Sequence, residues 1–160
     1  MNSNRVNKNK GFTLIEILVV IGIIAVLATI VLIAINPARQ FAQARNTQRE
    51  SHVTTILNAI GQNVADNKGI FTCAGIGTNI PVSPAAALNI GTGSGLVNLG
   101  CLSPTYIAAG IPVDPTNGTA ADTEYTIQQD TAANGSRIIV CAPGHAETAV
   151  SGSTAFCLTR

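Results

Sequence analysis

One carboxylate, Glu16, stands inside an apolar run of 24 residues from Phe12 to Ile35, where the other interruptions are Thr13, Gly22 and Thr29. A carboxylate in a membrane-spanning helix costs up to about 3 kcal/mol at the bilayer centre and less near an end, so Glu16 asks for a partner. Elsewhere the groups able to do chemistry are sparse. The four cysteines, Cys73, Cys101, Cys141 and Cys157, include no Cys-x-x-Cys pair, and His52 and His145 do not lie at zinc-ligand spacing from them. Asp114, Asp122 and Glu124 offer oxygens for a calcium ion, but lack the alternating order of a known calcium loop. Gly91-Thr92-Gly93-Ser94-Gly95 lacks the Gly-Lys-Ser/Thr ending of a phosphate loop and a strand before it, and reads as a flexible loop. With no Ser-His-Asp or Cys-His arrangement and no nucleotide fingerprint, neither an enzyme nor a cofactor is expected.

The element that must position Glu16 is a helix. At about 1.5 Å per residue, Phe12 to Ile35 spans about 36 Å, enough to cross a hydrocarbon core of about 30 Å. The run is too long for the apolar region of an ordinary secretory signal, and no Ala-x-Ala site follows it. Arg5, Lys8 and Lys10 are the only charges ahead of it, which by the positive-inside rule places the N-terminus in the cytoplasm and everything after Asn36 outside.

The run from Lys10-Gly11-Phe12-Thr13-Leu14-Ile15-Glu16 through Ala28 resembles the class III signal of type IV pilins and type II secretion pseudopilins, with Gly, Phe and Glu in register. The resemblance implies a basic leader, residues 1–11, removed by a prepilin peptidase between Gly11 and Phe12, and N-methylation of the new amine on Phe12. It implies that Glu16 neutralises the N-terminal amine of a neighbouring subunit as helices pack into a filament. Two opposite charges leaving water together cost far less than either alone, and a misplaced subunit leaves both unpaired. The alternative is that Glu16 snorkels to the interface at a helix end.

Composition supports one small anchored domain. Charged residues are 11% of the chain against about 25% in typical domains. Loss of the leader leaves six basic side chains against eight acidic ones, and no nucleic-acid-binding face emerges. Arg39, Arg45 and Arg49 stand just beyond the span, opposed locally by Glu50 alone, while acids outnumber bases distally. That polarity reads either as contact between the stalk of one subunit and the acidic head of another, or as a solvated helix face beside headgroups.

Pro37 is expected to kink or break the helix, which resumes to Asp66 or Asn67. Val53, Ile56, Leu57, Ile60 and Val64 recur at helical spacing and share one face, which needs a sheet to cover it. Lys68-Gly69 reads as the stop, and Ile70 to Gly110 as a weakly periodic connection. Tyr125 and Ile127, with Ile138 and Val140, predict two antiparallel strands joined by a turn at Thr131 to Gly135, where Asn134-Gly135 suits positive φ, within a sheet of three or four strands. Ile111-Pro112-Val113-Asp114-Pro115, followed by Glu124-Tyr125-Thr126-Ile127, resembles the Pro-x-Asp-Pro turn and aromatic strand of many pseudopilins and some pilins, and in some major pseudopilins a loop near this turn binds calcium. Asn117-Gly118-Thr119 and Asn134-Gly135-Ser136 are glycan-acceptor tripeptides that also read as turns.

Outside the membrane, disulfides are the default. Four cysteines allow three pairings. Cys73–Cys101 with Cys141–Cys157 is favoured, the second because it resembles the disulfide-bounded C-terminal loop of many type IV pilins. Four reduced structural thiols, as in a cytoplasmic domain, are the competing reading.

The expected fold is α+β and pilin-like: a leader at 1–11, a membrane or filament-core helix at 12–35, an amphipathic half-helix at 36–67 and a β-rich head at 68–160 packed as a small antiparallel sheet. The expected role is a structural subunit of a homopolymeric type IV pilus, in the membrane before assembly and in a surface filament afterwards. Its partners would be prepilin peptidase, an assembly ATPase with its membrane platform, and lipid. The alternatives are a type II secretion pseudopilin and a membrane-anchored binding domain that never polymerises.

Overall fold

The computed structural model describes residues 11–73, 80–131 and 137–160. The basic residues ahead of Gly11, the expected 131–135 turn beyond Thr131 and the Asn134-Gly135-Ser136 tripeptide lie outside them. The chain divides into two compact units, residues 1–37 and 38–160.

The first unit is carried by α1, Leu14–Ala34. It starts with a capping box: Thr13, in extended geometry, takes the Glu16 N–H on its hydroxyl, while the Glu16 carboxylate accepts from the Thr13 N–H at 2.8 Å. Two of the donors orphaned at a helix start are thereby satisfied. The helix stops at Ile35, which is extended with φ −95° and ψ 122°. Asn36 is barred from helical ψ by the proline that follows it, and Pro37 becomes the first residue of α2, Pro37–Asp66, where its missing N–H costs nothing. The expected disturbance at Pro37 is therefore a break just upstream of it.

The second unit packs one face of α2 on a four-stranded antiparallel sheet in the order β1 (Leu88–Asn89), β2 (Thr126–Asp130), β3 (Arg137–Ala142), β4 (Phe156–Thr159). This is the α+β arrangement expected. Tyr125 stands one residue before β2, and Ile127 faces Val140 across the β2–β3 pair. Along β3, Ile138, Val140 and Ala142 turn inward and meet the α2 stripe of Val53, Ile56, Leu57 and Ile60 in one buried cluster. Alternation on the strands and the 3–4 spacing on the helix bring the two apolar faces together, each methylene removed from water contributing about 0.8 kcal/mol.

The stretch from Ile70 to Gly110 is less loop-like than its sequence. It holds β1 and a 3-10 turn at Gly100–Leu102, and sends Ile90, Val97, Leu99, Leu102 and Ile107 into the core. Backbone bonds from the Val97 N–H to the Asn89 carbonyl and from the Gly91 N–H to the Val97 carbonyl hold it there. Gly91 is a close-approach glycine: a Cβ would fall 2.2 Å from the Ala121 carbonyl oxygen. Cys73 is bonded to Cys101, and Cys141 to Cys157. The second pair joins residues directly opposite on β3 and β4, with Cα atoms 4.1 Å apart. Because Ile138 and Arg160 exchange both backbone bonds, alternation makes Cys141 and Cys157 a non-hydrogen-bonded pair, the closer of the two kinds.

Candidate functional site

Two places carry chemistry. The first surrounds Glu16. The Gly11–Phe12 bond precedes the capping box outside any helix or strand, Gly11 has no atom near the position of a Cβ, and Phe12 is 84% exposed. Glu16 is held by the Thr13 hydroxyl, which donates at 2.8 Å, and by the Thr13 N–H. In the first unit the carboxylate thus has hydrogen bonds but no cation among its described contacts. None of the 21 residues of α1 is buried, and the helix is long and apolar enough to cross a membrane, with mean hydropathy 3.3.

The second place is a polar cluster between α2 and two turns of the head. Arg49, 2% exposed, makes five side-chain bonds: Nε to Asp114 Oδ2 at 2.6 Å, Nη1 to Glu147 Oε1 at 2.6 Å and Asn46 Oδ1 at 3.0 Å, Nη2 to Asp114 Oδ1 at 3.1 Å and Thr116 Oγ1 at 2.8 Å. These use all five guanidinium donors, so the buried charge is both paired and fully bonded. Arg45 grips Glu147 bidentately at 2.7 and 2.8 Å. The hydrogen bonds of Arg45, then of Arg49, pull the Glu147 carboxyl down to about 2. At Asp114 burial acts upward, but the bonds from Arg49 and from the Thr116 and Asn117 N–H groups outweigh it and leave the carboxyl below its ordinary value. Gly144 abuts the pair: a Cβ there would lie 2.9 Å from Asp114 Oδ2.

Behind the cluster, Tyr125 is fully buried with its hydroxyl 2.8 Å from His52 Nδ1. Burial raises the phenol and lowers the imidazole, the latter opposed by a bond involving the Val113 backbone and by the Asp114 charge.

Two of the calcium candidates have other engagements: Asp114 is bonded to Arg49, and Asp122 accepts from the Asn89 amide and the Glu124 N–H. Among the described residues no group of three or more acidic, histidine or cysteine side chains is placed to hold a metal. Arg45 and Arg49 pair with acids of the same chain, Glu147 and Asp114. The cluster had one signal in the sequence. Arg49 stands four residues before Val53, in register with the apolar stripe, where a charge needs a buried partner. Its partners, 65 and 98 residues away, gave none.

A comparison with curated proteins and with solved structures finds no match. A family model, the prokaryotic N-terminal methylation motif, matches residues 6–32, a stretch that contains Gly11, Phe12 and Glu16. The match is confined to this N-terminal stretch, the part of the sequence that resembles the class III signal of type IV pilins and pseudopilins.

Proposed function

We propose that the chain is a structural subunit of a type IV pilus that polymerises through its Phe12–Ile35 segment into a surface filament, with a mechanical rather than catalytic role. The observation that supports this most is α1, apolar on every side and unburied, directly behind a methylation motif and bearing one carboxylate. A helix hydrophobic all round finds its solvent outside its own chain. Lipid serves before assembly and equivalent helices of other subunits serve afterwards, so apolar surface stays covered throughout and a subunit can be extracted or returned at low cost. The free amine of Phe12 on a neighbouring subunit supplies the cation that Glu16 lacks. An assembly ATPase acting through a membrane platform would supply the work.

The second reading is a pseudopilin of a type II secretion machine. The Asp114-Pro115 turn favours it, whereas the two disulfides in the exported unit favour a surface filament. A third, a membrane-anchored binding domain, predicts an uncut leader and tolerance of Glu16→Ala. Mass spectrometry of protein sheared from cell surfaces tests all three. A methylated N-terminal Phe12 in sheared filaments is expected. A cut and methylated form confined to the envelope would favour the pseudopilin, and membrane-bound protein still beginning at Met1 would sink the filament.

A further inference from the structure

Among the described residues, two that are not glycine have left-handed backbone: Lys68, with φ 57°, and Glu124, with φ 64°. That region is uncommon for residues with a side chain and is taken most readily by glycine, asparagine and aspartate, any of which would serve a turn at lower cost. Both residues are exposed. Glu124 is also the one carboxylate without a side-chain partner among the described residues: its contact with Asp122 is made by its backbone N–H, while Glu16, Glu50, Asp66, Asp114, Asp122, Asp130 and Glu147 are all engaged. Of the cations, Arg39, Arg45, Arg49 and Arg160 are engaged, and Arg137 stands directly opposite Asp130 across the β2–β3 pair. Lys68 has neither a side-chain bond nor an ion pair among the described residues, and it is the single lysine beyond Gly11.

The two charges sit at opposite ends of the second unit. Glu124 lines an open pocket of about 270 Å³ together with Arg49, Asp114, Thr116 and Glu147. There Arg45 and Arg49 meet Asp114 and Glu147 charge for charge, so Glu124 leaves a surplus of one negative charge. Lys68 follows the far end of α2, whose last residue, Asp66, lies about 25 Å along the helix from Arg49. Within one chain the ammonium therefore cannot reach the pocket. We infer that Lys68 of one subunit pairs with Glu124 of the next and sets the register in which the heads meet. This contact presupposes the filament proposed for the Phe12–Ile35 segment and names the head surfaces that touch in it. Two different patches at opposite ends of one unit make a head-to-tail contact that repeats without closing, as a filament requires. An exposed ion pair adds little affinity, which the apolar helices supply. Its effect is on specificity, because a register that brings like charges together is penalised.

The test begins with filaments sheared from cells that carry isotopically light and heavy subunits. A water-soluble carbodiimide condenses an amine and a carboxylate in contact to an amide, taking up the water that is lost, and mass spectrometry identifies the linked peptides. An amide between Lys68 Nζ and the Glu124 carboxyl is expected, joining light to heavy chains. Lys68→Glu and Glu124→Lys should each lower filament yield roughly tenfold at low ionic strength, because each brings like charges together. Added salt should soften both losses, and the double reversal should restore the yield. Urea unfolding of the second unit in micelles should be the same in all three variants as in the wild type, which separates a register defect from a folding defect. Wild-type filaments without the Lys68–Glu124 link, or a double reversal no better than the single variants, would overturn the contact and leave the filament standing. Wild-type protein that stays in the membrane and forms no filament would overturn both.

Discussion

The two helices of this protein meet opposite surroundings. Not one of the 21 residues of α1 is buried, whereas nine of the 30 residues of α2 are. The difference is one of patterning. α1 has apolar side chains on every side, so no orientation against a single sheet could cover it. α2 leaves Phe41 exposed but gathers Val53, Ile56, Leu57 and Ile60 in one stripe, and the inward residues of β2 and β3 cover that stripe. Among the described residues α1 is left uncovered, and α2 is covered from within its own unit. The charged residues follow the same division: among the described residues Glu16 finds hydrogen bonds and no cation, while Arg49 finds two carboxylates.

The largest effect should come from breaking the self-sufficient region at its one buried cation. Arg49→Met leaves the Asp114 carboxylate buried and without its guanidinium, and removing one partner of a buried pair costs about 3–5 kcal/mol. Urea unfolding of the full chain in micelles should show a loss of that size, with helix content in α1 and retention in the membrane unchanged. A loss under about 1 kcal/mol would mean that water reaches Asp114 and replaces the ion pair.

Next in size is the reverse lesion. Leu27→Arg places a charge near the middle of α1 and should raise the cost of insertion by about 3 kcal/mol, read as a smaller membrane-retained fraction on fractionation. The unfolding midpoint of the second unit should not move, since the substitution lies outside its core. A shift of that midpoint would mean that the second unit does not unfold independently of α1.

What was legible in the sequence divides along the same line. α1 was readable because length and hydropathy are local and because the motif around Gly11, Phe12 and Glu16 is contiguous. The α2 stripe was readable because its period is local as well, and the alternation of Ile138 and Val140 gave β3 for the same reason. The contribution of the 70–110 stretch was not readable. Ile90, Val97 and Leu99 are fixed by backbone bonds and by the Cys73–Cys101 link rather than by any repeat. Nor was the polar cluster. Glu147 sits in a turn-rich segment with nothing nearby to mark it as the partner of a helix 98 residues upstream. Charges read one at a time look solvated, and only the fold pairs them.

A smaller and graded effect follows from that cluster. Glu147 is lowered from an ordinary 4.5 to about 2, and Asp114 is lowered as well. A carboxyl whose folded value is depressed adds stability above its unfolded value and loses it as pH falls toward the folded one. The second unit should therefore hold its stability down to roughly pH 4.5 and lose it progressively toward pH 2. Arg49→Met should flatten this dependence, because the unfolded and folded carboxyls then differ less. An unchanged acid limb in that variant would place the acid-sensitive groups elsewhere.

The smallest effect is expected of Leu27→Ala. In a packed core the same kind of truncation is severe: Ile56, fully buried, should cost about 2–5 kcal/mol when cut to alanine. Leu27 is 57% exposed and not a member of the buried cluster, so unfolding of the second unit in micelles should change by less than about 0.5 kcal/mol. The contrast sharpens if filaments are then sheared and warmed. An α1 solvated only by lipid would leave Leu27→Ala silent in both settings. An α1 whose core is made by other copies would be silent in the micelle and destabilised in the polymer, because a cavity forms only where neighbouring side chains had packed around the lost atoms.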